Sequence, residues 1–264
     1  MSNIDTKIEK LLKSAKKNPK HYVKIADIYF DDGNFKKSKF YYKKAIESGI
    51  NAYQQLGYVC DYQHRYKKAF DIYLQGVTAG DIDCMIYVGY DYEVGHIVKK
   101  NIGKAIEYYE MASNLGSAIA ARNLGNVYYF DMPCKNDRAE NVKKALEFYE
   151  RAFYLGETSV AKKIGYIYLN VEELSDASKA IEWYEKGLSL GDYSLNFDLA
   201  YVYLNDRLPD NDYEKGLSYL QEGVKHNDPE SIYLQARVYE MGLYGIEPDS
   251  KKYAHFLKKA ARSG

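Results

Sequence analysis

Two small-residue signals recur along the chain at one shared interval, and no other feature constrains its fold as tightly. The first closes a series of Lys/Glu/Tyr-rich stretches: Ser-Gly at 48–49, Ala-Gly at 79–80, Leu-Gly at 115–116, 155–156 and 190–191, His-Asn at 226–227 and Ser-Gly at 263–264. The second runs in phase with it through Ala26, Gly57, Gly89, Gly125, Gly165, Ala200 and Ala236. Both advance in steps of 31 to 40 residues. Self-similarity of that period marks a repeat array, in which each unit buries its apolar face only by stacking on its neighbours.

Each unit reads as two helices. First helices carry NLGNVYY at 123–129, KIGYIYL at 163–169 and DLAYVYL at 198–204, and second helices carry KAIEYYEMASNLG at 104–116, KALEFYERAFYLG at 144–156 and KAIEWYEKGLSLG at 179–191. Apolar residues recur at three- and four-residue spacing, as in Ala145, Phe148, Tyr149 and Ala152, which is the helical period. The glycine that ends each stretch suits the left-handed position just past a helix. Pro133, Pro209 and Pro248 fall between the two helices of a unit, where they interrupt nothing. A mid-helix glycine costs about 1 kcal/mol against alanine. Its recurrence therefore predicts a close approach of the first helix to the second. Three residues on, Tyr29, Tyr92, Tyr128, Tyr168, Tyr203 and Tyr239 share a slot that Cys60 fills in the second unit, and they are expected to interdigitate in the core.

The chain then divides into seven helix pairs, over about 19–49, 50–80, 81–117, 118–157, 158–192, 193–228 and 229–264. A lone amphipathic helix within residues 1–18 precedes them, with Ile8, Leu11, Leu12 and Ala15 on its apolar face, and is expected to cap the array. The loop DMPCKNDRAEN at 131–141 is longer than its counterparts, and its tip is expected to move.

With LGxxY in the first helix and KAxxWYEKAxxxG in the second, the units resemble Sel1-like repeats, and KIGYIYLNVEELSDASKAIEWYEKGLSLGD at 163–192 carries that pattern most fully. The two N-terminal units, with shorter steps, are more similar to tetratricopeptide repeats. The resemblance implies an all-α fold, a right-handed superhelical solenoid of antiparallel helix pairs, that holds a protein or peptide in its groove. Departures from the pattern are Tyr253 where a small residue is expected, and Ala200 and Ala236 in place of glycine. A secreted branch of the family staples each helix pair with a disulfide. Cys60, Cys84 and Cys134 supply no such pairs, so that branch's properties are not carried over.

Composition narrows the function. Lys plus Arg and Asp plus Glu are equal at 37 each, which argues against nucleic acid, whose phosphates call for a basic field. No stretch approaches the roughly 20 apolar residues that span a bilayer, so no membrane insertion is expected. Three scattered cysteines and a charged N-terminus point to a reduced, cytoplasmic protein. The histidines His21, His64, His96, His226 and His255 fall in different units, and no nucleophile, metal or phosphate-loop motif occurs. Neither a cofactor, a metal nor an enzymatic activity is expected.

What remains is a recognition surface. The resemblance to tetratricopeptide geometry implies that the residue after each small packing position faces the groove: Asp27, Tyr58, Tyr90, Asn126, Tyr166, Tyr201 and Arg237. Tyrosine, with broad contact area, little side-chain entropy and a polar tip, is suited to recognition. One turn later come Tyr129, Leu169 and Leu204 among others, and one turn earlier Arg122 and Lys162. Arg122 with Asn126, and Lys162 in the next unit, are similar to positions that grip a peptide carboxylate in some tetratricopeptide domains. The candidate groove is therefore Tyr58, Tyr90, Arg122, Asn126, Tyr129, Lys162, Tyr166 and Tyr201. An alternative is a structural repeat protein that self-assembles into a homo-oligomer through the open C-terminal end of the array.

Overall fold

In the computed structural model, which describes residues 3–131, 138–205 and 212–263, the described residues are almost entirely helical and contain no strand. Cys134, Pro133, Pro209, the 132–137 part of the long loop and Gly264 lie outside the described residues. The helices divide into two compact units, 1–133 and 134–264. The first holds α1 (Asn3–Ala15), α2 (Lys20–Asp31), α3 (Phe35–Glu47), α4 (Tyr53–Tyr62), α5 (Tyr66–Thr78), α6 (Ile82–Val94), α7 (Ile102–Asn114) and α8 (Ala118–Asn126). The second holds α9 (Arg138–Tyr154), α10 (Val160–Asn170), α11 (Ala177–Ser189), α12 (Leu195–Leu204), α13 (Tyr213–Lys225), α14 (Pro229–Met241) and α15 (Ser250–Ser263). In each unit, consecutive helices pack as stacked pairs: α2 with α3, α4 with α5 and α6 with α7, then α10 with α11, α12 with α13 and α14 with α15. The division between the units falls inside the fourth expected repeat.

The glycine that closes a repeat also opens the next. Gly49, Gly80, Gly116, Gly156 and Gly191 all have φ from 79° to 104°, and Asn227 takes the same left-handed place at φ 58°. At Gly80 the amide bonds the Val77 carbonyl and the Asp81 amide bonds that of Gly76, which satisfies the last carbonyls of α5. Asp81, Ser117 and Asp228 then accept from the amides of Cys84, Ala120 and Ser231 and so cap the following helix. Second helices begin likewise on Asn34, Asn101, Asp176 and Asp212, which accept from Lys37, Lys104, Lys179 and Lys215.

The close approach predicted for the first-helix glycines is present, and a second-helix tyrosine occupies it. A methyl group on Gly57 would run into the ring of Tyr73, one on Gly165 into Tyr184, and one on Gly89 would meet Tyr109 at 2.8 Å. Tyr73, Tyr109, Tyr149 and Tyr184 are among the largest fully buried side chains of the molecule. Gly125, Ala26, Ala200 and Ala236 are buried as well. Where alanine replaces glycine at position 200, Leu220 of α13 stands in for the tyrosine, and Ala200 and Leu220 share one apolar cluster. A narrower, softer side chain leaves room for the extra methyl.

A second row of small residues, not singled out in the sequence, lies on the other face of the second helices. A methyl on Gly76 would strike Cys84 and Tyr53, one on Gly187 would strike Leu195 and Ala161, and one on Gly223 would strike Ser231. These positions join each repeat to the next.

Three expectations need correction. The tyrosine slot at 29, 92, 168, 203 and 239 is not deep core: Tyr203 is buried, and the others are half-buried. Each ring instead carries the ammonium group of the lysine that follows the N-cap of the partner helix. Lys37, Lys104, Lys179, Lys215 and Lys252 sit 4.8–5.3 Å from the centroids of Tyr29, Tyr92, Tyr168, Tyr203 and Tyr239. Tyr41, Tyr108, Tyr219 and Phe256 stack against four of the same rings. Secondly, Leu12 is 36% exposed, although Ile8 and Ala15 of α1 are buried as expected. Thirdly, α8 does not continue as an α-helix through NVYY: residues Val127–Asp131 wind as a π-helix, which shifts Tyr128 and Tyr129 off the α-helical register.

The Gly–Tyr contact sets a stability test. Gly165→Ala should lower stability by about 1–3 kcal/mol in urea unfolding, because the added methyl would run into the buried ring of Tyr184. Adding Tyr184→Leu recreates the pairing found at Ala200 and Leu220, so the double variant should be more stable than the sum of the two single losses. Strict additivity would show that the two side chains do not meet.

Candidate functional site

The register places tyrosine one residue beyond the small packing position, and because the small residue faces inward, its neighbour turns out. Tyr58 is 46% exposed, Tyr90 54%, Tyr166 54% and Tyr201 37%, in contrast to the buried second-helix tyrosines. Tyr58 and Tyr90 belong to the first unit with Arg122, Asn126 and Tyr129; Lys162, Tyr166 and Tyr201 belong to the second. Asn126, Arg122 and Tyr129 are half-buried and all three carry interactions of their own. Leu169 and Leu204, expected to face the groove, are buried instead. Each belongs to an apolar cluster with the second helix, Leu169 with Tyr184 and Leu204 with Leu220.

In the first unit the outward face is aromatic and acidic. Phe30 lies 5.7 Å from Tyr58 and 5.3 Å from Tyr62 by ring centroids, and Phe35 is 5.3 Å from Tyr62. The buried tyrosines reach this face through their hydroxyls. Tyr42 donates to Asp27 at 2.6 Å, Tyr73 to Asp61 at 2.5 Å and Tyr109 to Glu93 at 2.6 Å. Sequence reasoning missed these bonds. The signal was available in the second tyrosine of the YY pairs and in the acid four residues after Gly57 and Gly89. Burial pushes the Asp61 and Glu93 carboxyls up, against the pull of the tyrosine hydroxyls.

A pocket of about 550 Å³ opens between α4, α5 and α6, lined by Asp61, Asp91, Tyr66, Tyr73, Tyr87 and Tyr90 among others. Tyr87 stacks on Tyr73 at 4.8 Å. Burial, and then the neighbouring charge of Asp61, push the Asp91 carboxyl up to about 6.

In the second unit the candidate anion-binding lysine is already engaged. Lys162 Nζ lies 3.0 Å from Asp198, whose side chain is only 17% exposed. Burial opposes the charge on Lys162, but Asp198 more than offsets it and holds the ammonium protonated. Burial pushes the Asp198 carboxyl up despite the lysine beside it. The arrangement is an ion pair, and it leaves the lysine less free for a ligand carboxylate than its sequence position implied.

His21 bonds Ser14, His64 bonds Tyr66, and His226 stacks on Tyr193. Among the described residues no three His, Cys, Asp or Glu side chains are placed to hold a metal ion. Cys60 and Cys84 are free and buried, and burial pushes both thiols up, away from the reactive thiolate. No described helix is long and apolar enough to cross a membrane.

Family models of the Sel1 repeat match residues 82–117, 118–157, 163–192, 196–228 and 229–264, well over half of the chain. A tetratricopeptide repeat matches residues 20–48. Among solved structures, a Sel1 repeat protein from Oxalobacter formigenes superposes with a TM-score of 0.65 at 20% identity, over 92% of this chain and 100% of that one. A protective antigen of uropathogenic Escherichia coli displaying an SLR fold gives 0.53 at 16%, over 97% of this chain and 64% of that one. The human IFIT1 dimer with m7Gppp-AAAA gives 0.51 at 13%, over 97% and 66%. No curated protein matches the sequence.

Two outcomes follow from the electrostatics of these faces. Lys162→Ala should destabilise the second unit by about 1–2 kcal/mol, because it strands a largely buried carboxylate. Asp198→Asn in that background should recover part of the loss in denaturant titration. For Asp91, the unfolded chain releases its proton near 3.8 and the folded chain only near 6. The stability from this group is thus full below about pH 4 and is lost as the pH rises through 6. Asp91→Asn should raise the melting temperature at about pH 7.5 and not at about pH 4; an equal gain at both would refute the assignment.

Proposed function

We propose that this chain, which belongs to the Sel1 repeat family, works as a protein-interaction scaffold or adaptor, without catalysis, that receives a peptide or partner protein on its first-helix faces. The observation that carries this reading is the repeated outward tyrosine: Tyr58 and Tyr90 in one unit, Tyr166 and Tyr201 in the other. These four hold large aromatic surface in solvent at one register, even where Tyr58 and Tyr201 also touch a neighbouring phenylalanine ring. Such residues supply binding energy at recognition surfaces with little side-chain entropy to lose. Arg122, Asn126 and Tyr129 extend the proposed face in the first unit and Lys162 that in the second, although the Lys162–Asp198 pair weakens the case for a carboxylate anchor there. The human IFIT1 likeness does not extend the proposal to nucleic acid. Asp27, Asp61, Asp91 and Glu93 give the first unit a face that repels phosphates. Free thiols at Cys60 and Cys84 support a reducing, cytoplasmic setting.

A second reading, homo-oligomerisation, is favoured by one observation: Leu257 on α15 is 40% exposed. Light scattering of wild type and Leu257→Glu would separate the two, since an assembly through that helix should become monomeric in the variant.

The scaffold reading is tested with a partner isolated from native lysate and then purified. The pairs Tyr58→Ala with Tyr90→Ala, and Tyr166→Ala with Tyr201→Ala, should leave the melting temperature close to that of wild type. At least one pair should weaken partner binding by about 1–2 kcal/mol per tyrosine. Unchanged affinity in both would move recognition to another face.

A further inference from the structure

We propose that the pocket between α4, α5 and α6 is a receptor for a basic side chain, an arginine or lysine presented by a partner protein. Its lining combines two carboxylates, Asp61 and Asp91, with the tyrosines 66, 73, 87 and 90, and includes no lysine or arginine. The only hydrogen bond described for the Asp61 carboxylate comes from Tyr73 Oη, and no hydrogen bond or ion pair is described for that of Asp91. Neither feels a nearby basic group: the influences on Asp91 are burial and Asp61, and those on Asp61 are burial and Tyr73. Two half-buried carboxylates therefore face one space with their negative charge uncompensated. A cation entering it offsets that repulsion, so charge complementarity selects the sign of the ligand.

The walls select its kind. Fewer than three ligating side chains converge here, since no group of three His, Cys, Asp or Glu is placed to hold a metal among the described residues. Exposed ring surface of Tyr87 and Tyr90 instead suits an organic cation, which gains from the faces of aromatic rings as well as from carboxylates. The chain uses the same chemistry internally, where Lys104 lies over Tyr92 at 4.9 Å on the neighbouring turn of α6. A volume of about 550 Å³ admits a whole arginine or lysine side chain.

This inference rests on the reading that the first helices receive a partner segment, and it gives that segment a basic residue at the first unit. The charged and titratable groups facing Asp91 are Asp61 from α4, Tyr66 and Tyr73 from α5, Tyr87 and Tyr90 from α6, and His96 from the loop beyond it. Ionisation of Asp91 near pH 6 should therefore tighten the hold on a cation as the pH rises.

The experiment is an NMR titration of the full chain with the capped peptide Ac-Gly-Ser-Arg-Ser-Gly-NH2, its lysine counterpart, and a citrulline counterpart that keeps the shape of arginine without the charge. Amidation removes the terminal carboxylate, so any binding is independent of a carboxylate anchor. The expected result is saturable movement of the amide signals of Tyr90 and Asp91 with the arginine or lysine peptide and none with citrulline. Affinity should be greater at about pH 7.5 than at about pH 5, and should fall about tenfold in Asp91→Asn and in Tyr90→Ala. Backbone spectra that keep their dispersion show that these variants remain folded. Equal response to arginine and citrulline, or undiminished affinity in folded Asp91→Asn, would overturn the pocket. If that occurs while Tyr58→Ala still loses the purified partner, the interaction surface survives and the cation receptor alone is wrong.

Discussion

The contact between a second-helix tyrosine and the bare backbone of the first helix fixes most of what is distinctive in this molecule. A ring can lie that close only where no Cβ intervenes, so Tyr73, Tyr109 and Tyr184 each require a glycine, at 57, 89 and 165. Glycine weakens the helix that carries it, and the buried ring offsets that weakness with its large apolar area. At one repeat the ring and the gap change together. Leucine at 220 accompanies alanine at 200, and the two share one cluster. The alanine at 200 is thus accompanied by a smaller partner than the tyrosine found under the glycines.

The same contact sorts the tyrosines of a repeat into separate tasks. The second aromatic goes under the glycine in the pairs Tyr108–Tyr109 and Trp183–Tyr184. Trp183 packs on Phe153 and Tyr154, whereas in the YY pairs the first aromatic faces the other way and stacks on a first-helix tyrosine, as Tyr108 does on Tyr92. A lysine four residues before the first aromatic closes the other side of that ring, and its amide is the one that the N-cap residue receives. The N-cap, the lysine and the aromatic pair are therefore one device, and the recurring KAxxYY string is its written form. With the second-helix aromatics placed in this way, the tyrosines that follow the small residue, Tyr58, Tyr90, Tyr166 and Tyr201, point outward.

The helix pairs were legible in the sequence because two signals, the helix-ending glycine and the mid-helix small residue, repeat in phase and both report backbone geometry. Asn227 shows how far that legibility goes, since it holds the left-handed place of a glycine within the ladder. The half-buried state of Tyr92 and Tyr168 was not legible, because a lysine three helical turns away in sequence completes their surroundings. The π-helical turn at Val127–Asp131 left no trace in the hydrophobic period and takes Tyr129 out of the α-helical register. At the candidate site the outward direction of Tyr58, Tyr90, Tyr166 and Tyr201 could be read from their neighbour glycines and alanine. The state of Lys162 could not, because Asp198 comes from the next first helix and periodicity is blind to which charges pair across repeats.

Packing and surface charge turn out to be linked in the first unit. A tyrosine placed under a glycine brings its hydroxyl to the outer edge of the first helix, where an unpaired polar group would be unfavourable. Asp61 and Glu93, each one turn beyond the glycine, accept that hydroxyl. The core residue thus calls for an acceptor, the acceptor present is an acid, and the acid gives the exposed face its sign. In the second unit the chain breaks this sequence at Leu220, which has no hydroxyl to satisfy, and the residue one turn beyond Ala200 is Leu204, buried against it. The acid there is Asp198, at a different register, and it is matched by Lys162 rather than by a tyrosine. The side chain beneath the first helix is not the whole cause: Tyr184 lies beneath Gly165, yet the residue one turn beyond is Leu169, buried with it, so the acid that gives the first unit its sign is a separate choice of residue.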